Sequence, residues 1–116
     1  MHELSIAKSI IQIIEKAFES DFNKKITKVH LNIGRLSGIE TDALTFGFSI
    51  IRKDTILANA ELEINLINGL AKCKKCGTSF EMNSYGIPCP NCAEFSIDIL
   101  QGKDMKVTQI SVEDVQ

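Results

Sequence analysis

No stretch of this 116-residue chain is long and apolar enough to span a bilayer, so no membrane segment is expected. No basic patch precedes an apolar run at the N-terminus, and position 3 is acidic, so no secretory signal is expected either. Cationic residues are not in excess. The formal net charge is −2, and four thiolates around one zinc ion would lower it by about two more. A chain of that sign is poorly suited to general nucleic-acid binding, which depends on neutralising phosphates. No serine stands in a nucleophile elbow and no glycine-rich phosphate loop is present, which removes two common enzyme signatures. Internal repeats and low-complexity segments are also missing. Cysteine is absent everywhere except in one stretch.

What is there suits an ordinary globule: 44% hydrophobic and 24% charged residues. The length allows one domain with a small appendage and a modest core, not a large enzyme cleft on its own scaffold. The four cysteines form two C-x-x-C pairs, Cys73/Cys76 and Cys89/Cys92. Two thiolates three residues apart can hold one metal from a tight turn, and two such turns complete a tetrahedron. Gly77 after the first pair and Pro90 inside the second are turn residues. A four-cysteine zinc knuckle is the expectation; two disulfides or four unrelated thiols are the bland alternative, and a rubredoxin-type iron site has the same spacing. Four cysteines leave no position for water or substrate, so the zinc is expected to be structural, stapling a segment too poor in apolar residues to fold alone. Metal spacing with no cysteine left over fits a reducing cytoplasm.

Periodicity organises the rest. Leu4, Ala7, Ile11, Ile14 and Phe18 repeat at helical spacing, with Ile6, Ile10, Ile13 and Ala17 broadening the stripe, so a helix is predicted from Leu4 to about Phe22. Thr27, Val29, Leu31 and Ile33 alternate with Lys28, His30 and Asn32, which predicts a strand with one packed and one wet face. Thr41 or Asp42 is a candidate cap for a second helix carrying Leu44, Phe48 and Ile51. A strand follows at about Ala60 to Ile67. From Leu70 to Leu100 the texture changes to cysteines and turn formers, and Met105 to Val112 reads as strand again. The expected fold class is α+β, with helices packed on a sheet. Residues 69–102 are expected to form a small zinc-ribbon-like insert, hinged near Gly69 and Gly102, in a domain of residues 1–68 plus 103–116.

Met1-His2-Glu3 is the second place with chemistry. A histidine at position 2 is ordinarily just a polar residue on a loose end. Here the Met1 amine, the His2 backbone nitrogen and the His2 imidazole can chelate one ion through two adjacent rings. Ni²⁺ and Cu²⁺ best displace the backbone proton and accept planar nitrogen geometry. Three nitrogens lie comfortably in the plane, and the Glu3 nitrogen or carboxylate is available off it. Such a site holds metal yet leaves room for exchange. His30 is read as a solvated residue on the wet face, with a ligand or contact role as the alternative. Glu61 and Glu63 are read as a solvated edge, and Lys72, Lys74 and Lys75 as offsetting the thiolate charge.

Taken together, the opening Met1-His2-Glu3-Leu4-Ser5-Ile6-Ala7, the segment Ile33-Gly34-Arg35-Leu36-Ser37-Gly38-Ile39 and the late C-x-x-C quartet resemble the HypA family of nickel chaperones for hydrogenase maturation. The resemblance covers the whole chain. It implies helices over a three-stranded sheet, with the zinc domain inserted before the last strand. It also implies Ni²⁺ cargo bound at the N-terminus through Met1, His2 and Glu3, and structural zinc on Cys73, Cys76, Cys89 and Cys92. The implied function is delivery to [NiFe]-hydrogenase, and in some bacteria to urease: a metallochaperone and not an enzyme. Implied partners are a nickel-handling GTPase of the same pathway, the hydrogenase large-subunit precursor and a urease accessory protein. A monomer and a homodimer both fit. Some members carry histidines just after the cysteine pairs, which lets zinc exchange ligands; here Gly77-Thr78 and Ala93-Glu94 stand there instead. A zinc-ribbon interaction or regulatory module, without nickel delivery, is the competing reading.

Overall fold

The helical and alternating patterns become two helices and six strands in the computed structural model, which describes residues 3–21 and 23–114. In chain order they are α1 (Glu3–Ala17), β1 (Lys24–Gly34), α2 (Thr41–Ile51), β2 (Glu61–Ile67), β3 (Leu70–Cys73), β4 (Ser79–Glu81), β5 (Ile97–Gln101) and β6 (Met105–Asp114). They form two three-stranded sheets, ordered β2-β1-β6 and β4-β3-β5, so the α+β expectation holds. No helix among the described residues is long and apolar enough to cross a membrane.

The chain divides into two compact units: Met1–Leu31 with Ile39–Ile64 and Val107–Gln116, and Asn32–Gly38 with Asn65–Lys106. The division passes through β1, β2 and β6.

In the first unit, Ala7, Ile10, Ile11 and Ile14 of α1 are buried with Leu44 and Phe48 of α2 and with Ile26, Val29 and Leu31 of β1. The stripe read from sequence is therefore centred correctly but too wide. Leu4 and Ile13 at its margins are 56% and 65% exposed. Gly47 lets the helices approach: a Cβ there would lie 3.3 Å from Leu4 Cδ1. The helix also ends sooner than expected, at Ala17, and closes in a turn where Asp21 N–H donates to the Phe18 carbonyl at 2.9 Å. Phe22 lies outside the described residues.

Two local expectations are corrected. Ile26, not Thr27, enters the core: burial falls on 26, 29, 31 and 33, a slip of one residue in the strand period. Thr27 instead donates its hydroxyl to the Ser111 carbonyl at 3.1 Å. The cap of α2 is Glu40, not Thr41 or Asp42, and it makes no side-chain cap bond.

The second unit is built on β3, which pairs antiparallel with both β4 and β5. Its small core holds Leu36, Ala71 and Met82, with Phe80, Ile97 and Ile99 packed against it. Leu36 comes from the loop after β1. Its N–H donates to the Gly102 carbonyl at 2.8 Å and its carbonyl accepts from the Tyr85 hydroxyl at 3.0 Å. Gly34 and Gly102 meet at this point. A Cβ on Gly34 would lie 1.9 Å from the Gly102 oxygen, and Gly102 itself has φ 103°. Gly69 is just as tight: a Cβ there would lie 1.8 Å from the Met82 oxygen. These positions need glycine for close backbone approach.

Candidate metal centres

The two C-x-x-C pairs fold as equivalent knuckles. Cys73 N–H donates to the Thr78 carbonyl at 2.9 Å and Gly77 N–H to the Cys73 carbonyl at 3.0 Å. Cys89 N–H donates to the Glu94 carbonyl and Ala93 N–H to the Cys89 carbonyl, both at 2.8 Å. The fourth residue after the first cysteine is left-handed in each: Gly77 at φ 78°, Ala93 at φ 63°. Glycine adopts this conformation freely, whereas alanine is strained by about 1 kcal/mol.

The four sulfurs lie within 4.8 Å of one another. Cys73 and Cys92 are 3.5 Å apart, and Cys76 and Cys89 3.6 Å, so each close pair joins the two knuckles. A zinc–thiolate tetrahedron with bonds of about 2.3 Å has edges of about 3.8 Å, so the donor set fits. The cysteines are free thiols, which removes the disulfide alternative. Cys73 and Cys89 are buried, Cys76 and Cys92 exposed.

Electrostatics differ between the exposed pair. The Thr78 side chain, 3.2 Å from Cys76 Sγ, is the main cause that holds this thiol down at about 5; the Asn91 side chain and the Thr78 backbone add to it. At Cys92 the backbone amide of Glu94 is the largest single influence and pulls downward. Loss of water and hydrogen bonds with the three other sulfurs together outweigh it and hold the thiol up at about 12. A bound cation is what deprotonates such a thiol near neutral pH. Asn91 N–H points at Cys89 Sγ at 3.4 Å.

Sequence reasoning missed Thr78 and Asn91, although both stand two residues from a ligand, where knuckle N–H and O–H donors fall. Two of the three lysines have carboxylate partners. Lys74 pairs with Asp98 at 3.5 Å and Lys75 with Glu94 at 3.7 Å, so carboxylates, not sulfurs, are their direct partners.

At the N-terminal end, Met1 and His2 lie outside the described residues. Glu3 opens α1, and its carboxylate accepts the Glu40 backbone N–H at 3.0 Å. That N–H is at the start of α2, where an anion is favoured by the helix dipole. His30 is not merely solvated: Nδ1 lies 2.7 Å from Glu63 and Nε2 lies 3.1 Å from the Ser111 hydroxyl. It stitches the central strand to both neighbours. Glu63, read as a solvated edge, is thereby engaged, and Lys28 is 3.8 Å away on its other oxygen.

A closed four-thiol knuckle on an α+β frame defines a small metal-handling protein with no water-bearing catalytic metal position at that knuckle. A family model described as hydrogenase/urease nickel incorporation, metallochaperone, HypA, matches residues 1–112. The hydrogenase maturation factor HypA of Francisella philomiragia is 43% identical over 110 residues, covering 95% of this chain and 97% of that one. The same factor of Chlorobaculum parvum is 36% identical over 113 residues, covering 97% and 100%. The solution structure of the Ni metallochaperone HypA from Helicobacter pylori superposes with a TM-score of 0.65 at 28% identity, over 99% of this chain and 98% of that one. The chain belongs to the HypA family, the nickel metallochaperones of hydrogenase maturation.

Proposed function

We propose that this chain binds Ni²⁺ through Met1, His2 and Glu3 and passes it on for insertion into the [NiFe]-hydrogenase large-subunit precursor. A nickel-handling GTPase is the working partner, and a urease accessory protein is a second recipient. The observation that carries this reading is the family match, which runs through the N-terminal motif to residue 112. Two features support it. Glu3 is anchored to the start of α2, so the chelating residues are followed by a fixed point on the fold. Acidic residues also outnumber basic ones in the first unit, and the reverse holds in the second; a negative field favours capture of a divalent cation.

In this reading residues 1–68 plus 103–116 are the nickel-binding domain and 69–102 the zinc-binding domain. Zn²⁺ held by Cys73, Cys76, Cys89 and Cys92 supplies folding energy and no vacant coordination position. The chain works in the cytoplasm, catalyses no reaction of its own and binds neither nucleic acid nor membrane.

Native mass spectrometry of tag-free protein with added Ni²⁺ tests the reading. The parent takes up one nickel beside its zinc. His2→Ala, or one extra residue before Met1, abolishes nickel uptake while zinc and helical circular dichroism persist. Equal nickel uptake by all three proteins would remove the N-terminal site and leave the zinc-ribbon interaction module as the better account.

A further inference from the structure

The sequence contains one Asn-Gly step, Asn68-Gly69, between β2 and β3. Asparagine is among the thermolabile residues, and a following glycine leaves its own backbone nitrogen least shielded. In an open chain that nitrogen attacks the carbonyl carbon of the asparagine side chain. The nitrogen gives up its proton, ammonia leaves, and a cyclic imide remains. Water then opens the ring at either carbonyl, giving aspartate or isoaspartate. Isoaspartate carries one extra carbon in the backbone.

In the fold the reacting groups are held apart by their hydrogen bonds. Gly69 N–H donates to Asn83 Oδ1 at 2.8 Å, so the attacking nitrogen keeps its proton on another partner. Arg35 Nε donates to Asn68 Oδ1 at 2.9 Å, and Gln101 Nε2 donates to the Asn68 carbonyl at 3.0 Å. Asn68 is exposed and Gly69 buried, so water reaches the side chain while the nucleophile is withheld. All of these residues belong to the second unit.

The two products fit the fold differently. Aspartate keeps the backbone and turns the Arg35 contact into a charge-assisted one. Isoaspartate lengthens the backbone between two fixed points. The Ile67 carbonyl accepts from Arg35 N–H and the Gly69 carbonyl from Met82 N–H, both at 2.9 Å. Gly69 has no room to shift, with the Met82 oxygen where its Cβ would stand.

We propose that Asn68-Gly69 is a guarded modification site. Asn83 withholds the Gly69 nitrogen while the second unit is folded. Opening of that unit lets Asn68 deamidate, and the isoaspartate product bars the return. The site thus records opening of the second unit in covalent form.

Peptide mapping of the metal-retaining full chain in mildly alkaline buffer, with and without unfolding guanidinium chloride, measures deamidation at position 68. The folded parent reacts at least roughly tenfold more slowly than the unfolded one, since the reaction waits on opening. Asn83→Ala speeds the folded reaction severalfold and leaves the unfolded rate unchanged. Asn83→Asp, which keeps an acceptor for Gly69 N–H, restores protection. Tyr85 signal and zinc content confirm that each variant starts folded, and the parent comparison stands without any variant. Isoaspartate chains returned to buffer with Zn²⁺ fail to regain zinc or Tyr85 signal. Asn68→Asp regains both, with the parent taken through the same cycle as the control. Equal rates in the folded and unfolded parent overturn the proposal. So does a folded Asn83→Ala as slow as the parent, or an isoaspartate chain that refolds like the parent. None of these residues belongs to either metal motif, so the outcome is independent of where nickel binds.

Discussion

The two units reach stability by different means. The first buries isoleucines, leucines and Phe48 from two helices against a sheet, an ordinary apolar core. The second has a small apolar cluster of Leu36, Ala71 and Met82, with three partly buried neighbours, and adds four sulfurs. So small an apolar cluster cannot offset the entropy of ordering its chain, so a metal on the four sulfurs would supply the balance. The first unit is therefore expected to tolerate chelators and the second to be sensitive to them.

Metal removal separates them most strongly. Both helices lie in the first unit, so helical circular dichroism reports it. Tyr85, the sole tyrosine in a chain without tryptophan, reports the second. A strong chelator is expected to collapse the Tyr85 signal while most helical signal persists; simultaneous loss of both would erase the distinction. Acid acts in the same direction through competition by protons. Cys92, with its thiol held up at about 12, competes with metal across the whole neutral range, whereas Cys76, held down at about 5, begins to do so only below that pH. Metal is therefore retained at high pH and released as pH falls, and the free zinc measured along an acid titration gives the profile.

Leu36→Ala is the next largest effect. It removes a buried side chain from a core with little else in it, costing about 3 kcal/mol. Denaturation followed by Tyr85 should move to lower denaturant. Denaturation followed by the helices should move far less, even though residue 36 lies between β1 and α2 in the chain.

The smallest effect compares the two knuckles. Ala93→Gly relieves a left-handed alanine and should stabilise the metal-bound form by about 0.5–1 kcal/mol, while Gly77→Ala should cost a similar amount. Competition with a coloured chelator resolves the corresponding few-fold changes in zinc affinity. Equal, negligible responses would mean the turns relax without strain.

The helices, the three long strands and the knuckle could be read without coordinates because each is written at short range. Periodicity depends on residues three, four or two apart, and a C-x-x-C turn on residues three apart. The places that went astray involve partners distant along the chain. Thr27 leaves the core because β6 offers it the Ser111 carbonyl. The α2 cap is taken by Glu40, whose N–H is satisfied by Glu3 from another helix. His30 is held by Glu63 and Ser111, residues from two different strands.

Gly34 and Leu36 make the same point at the metal unit. As sequence they stand only in the family-like segment after the first strand; in the fold one touches Gly102 and the other fills the knuckle core. Local spacing alone was enough to specify the two helices, the three long strands and the four-sulfur donor set, since backbone geometry dictates those patterns directly. Which loop completes the second core, which carboxylate satisfies α2 and which edge of the sheet stays open were decided by tertiary packing. Each depends on burial and hydrogen bonding between segments that only the folded chain brings together.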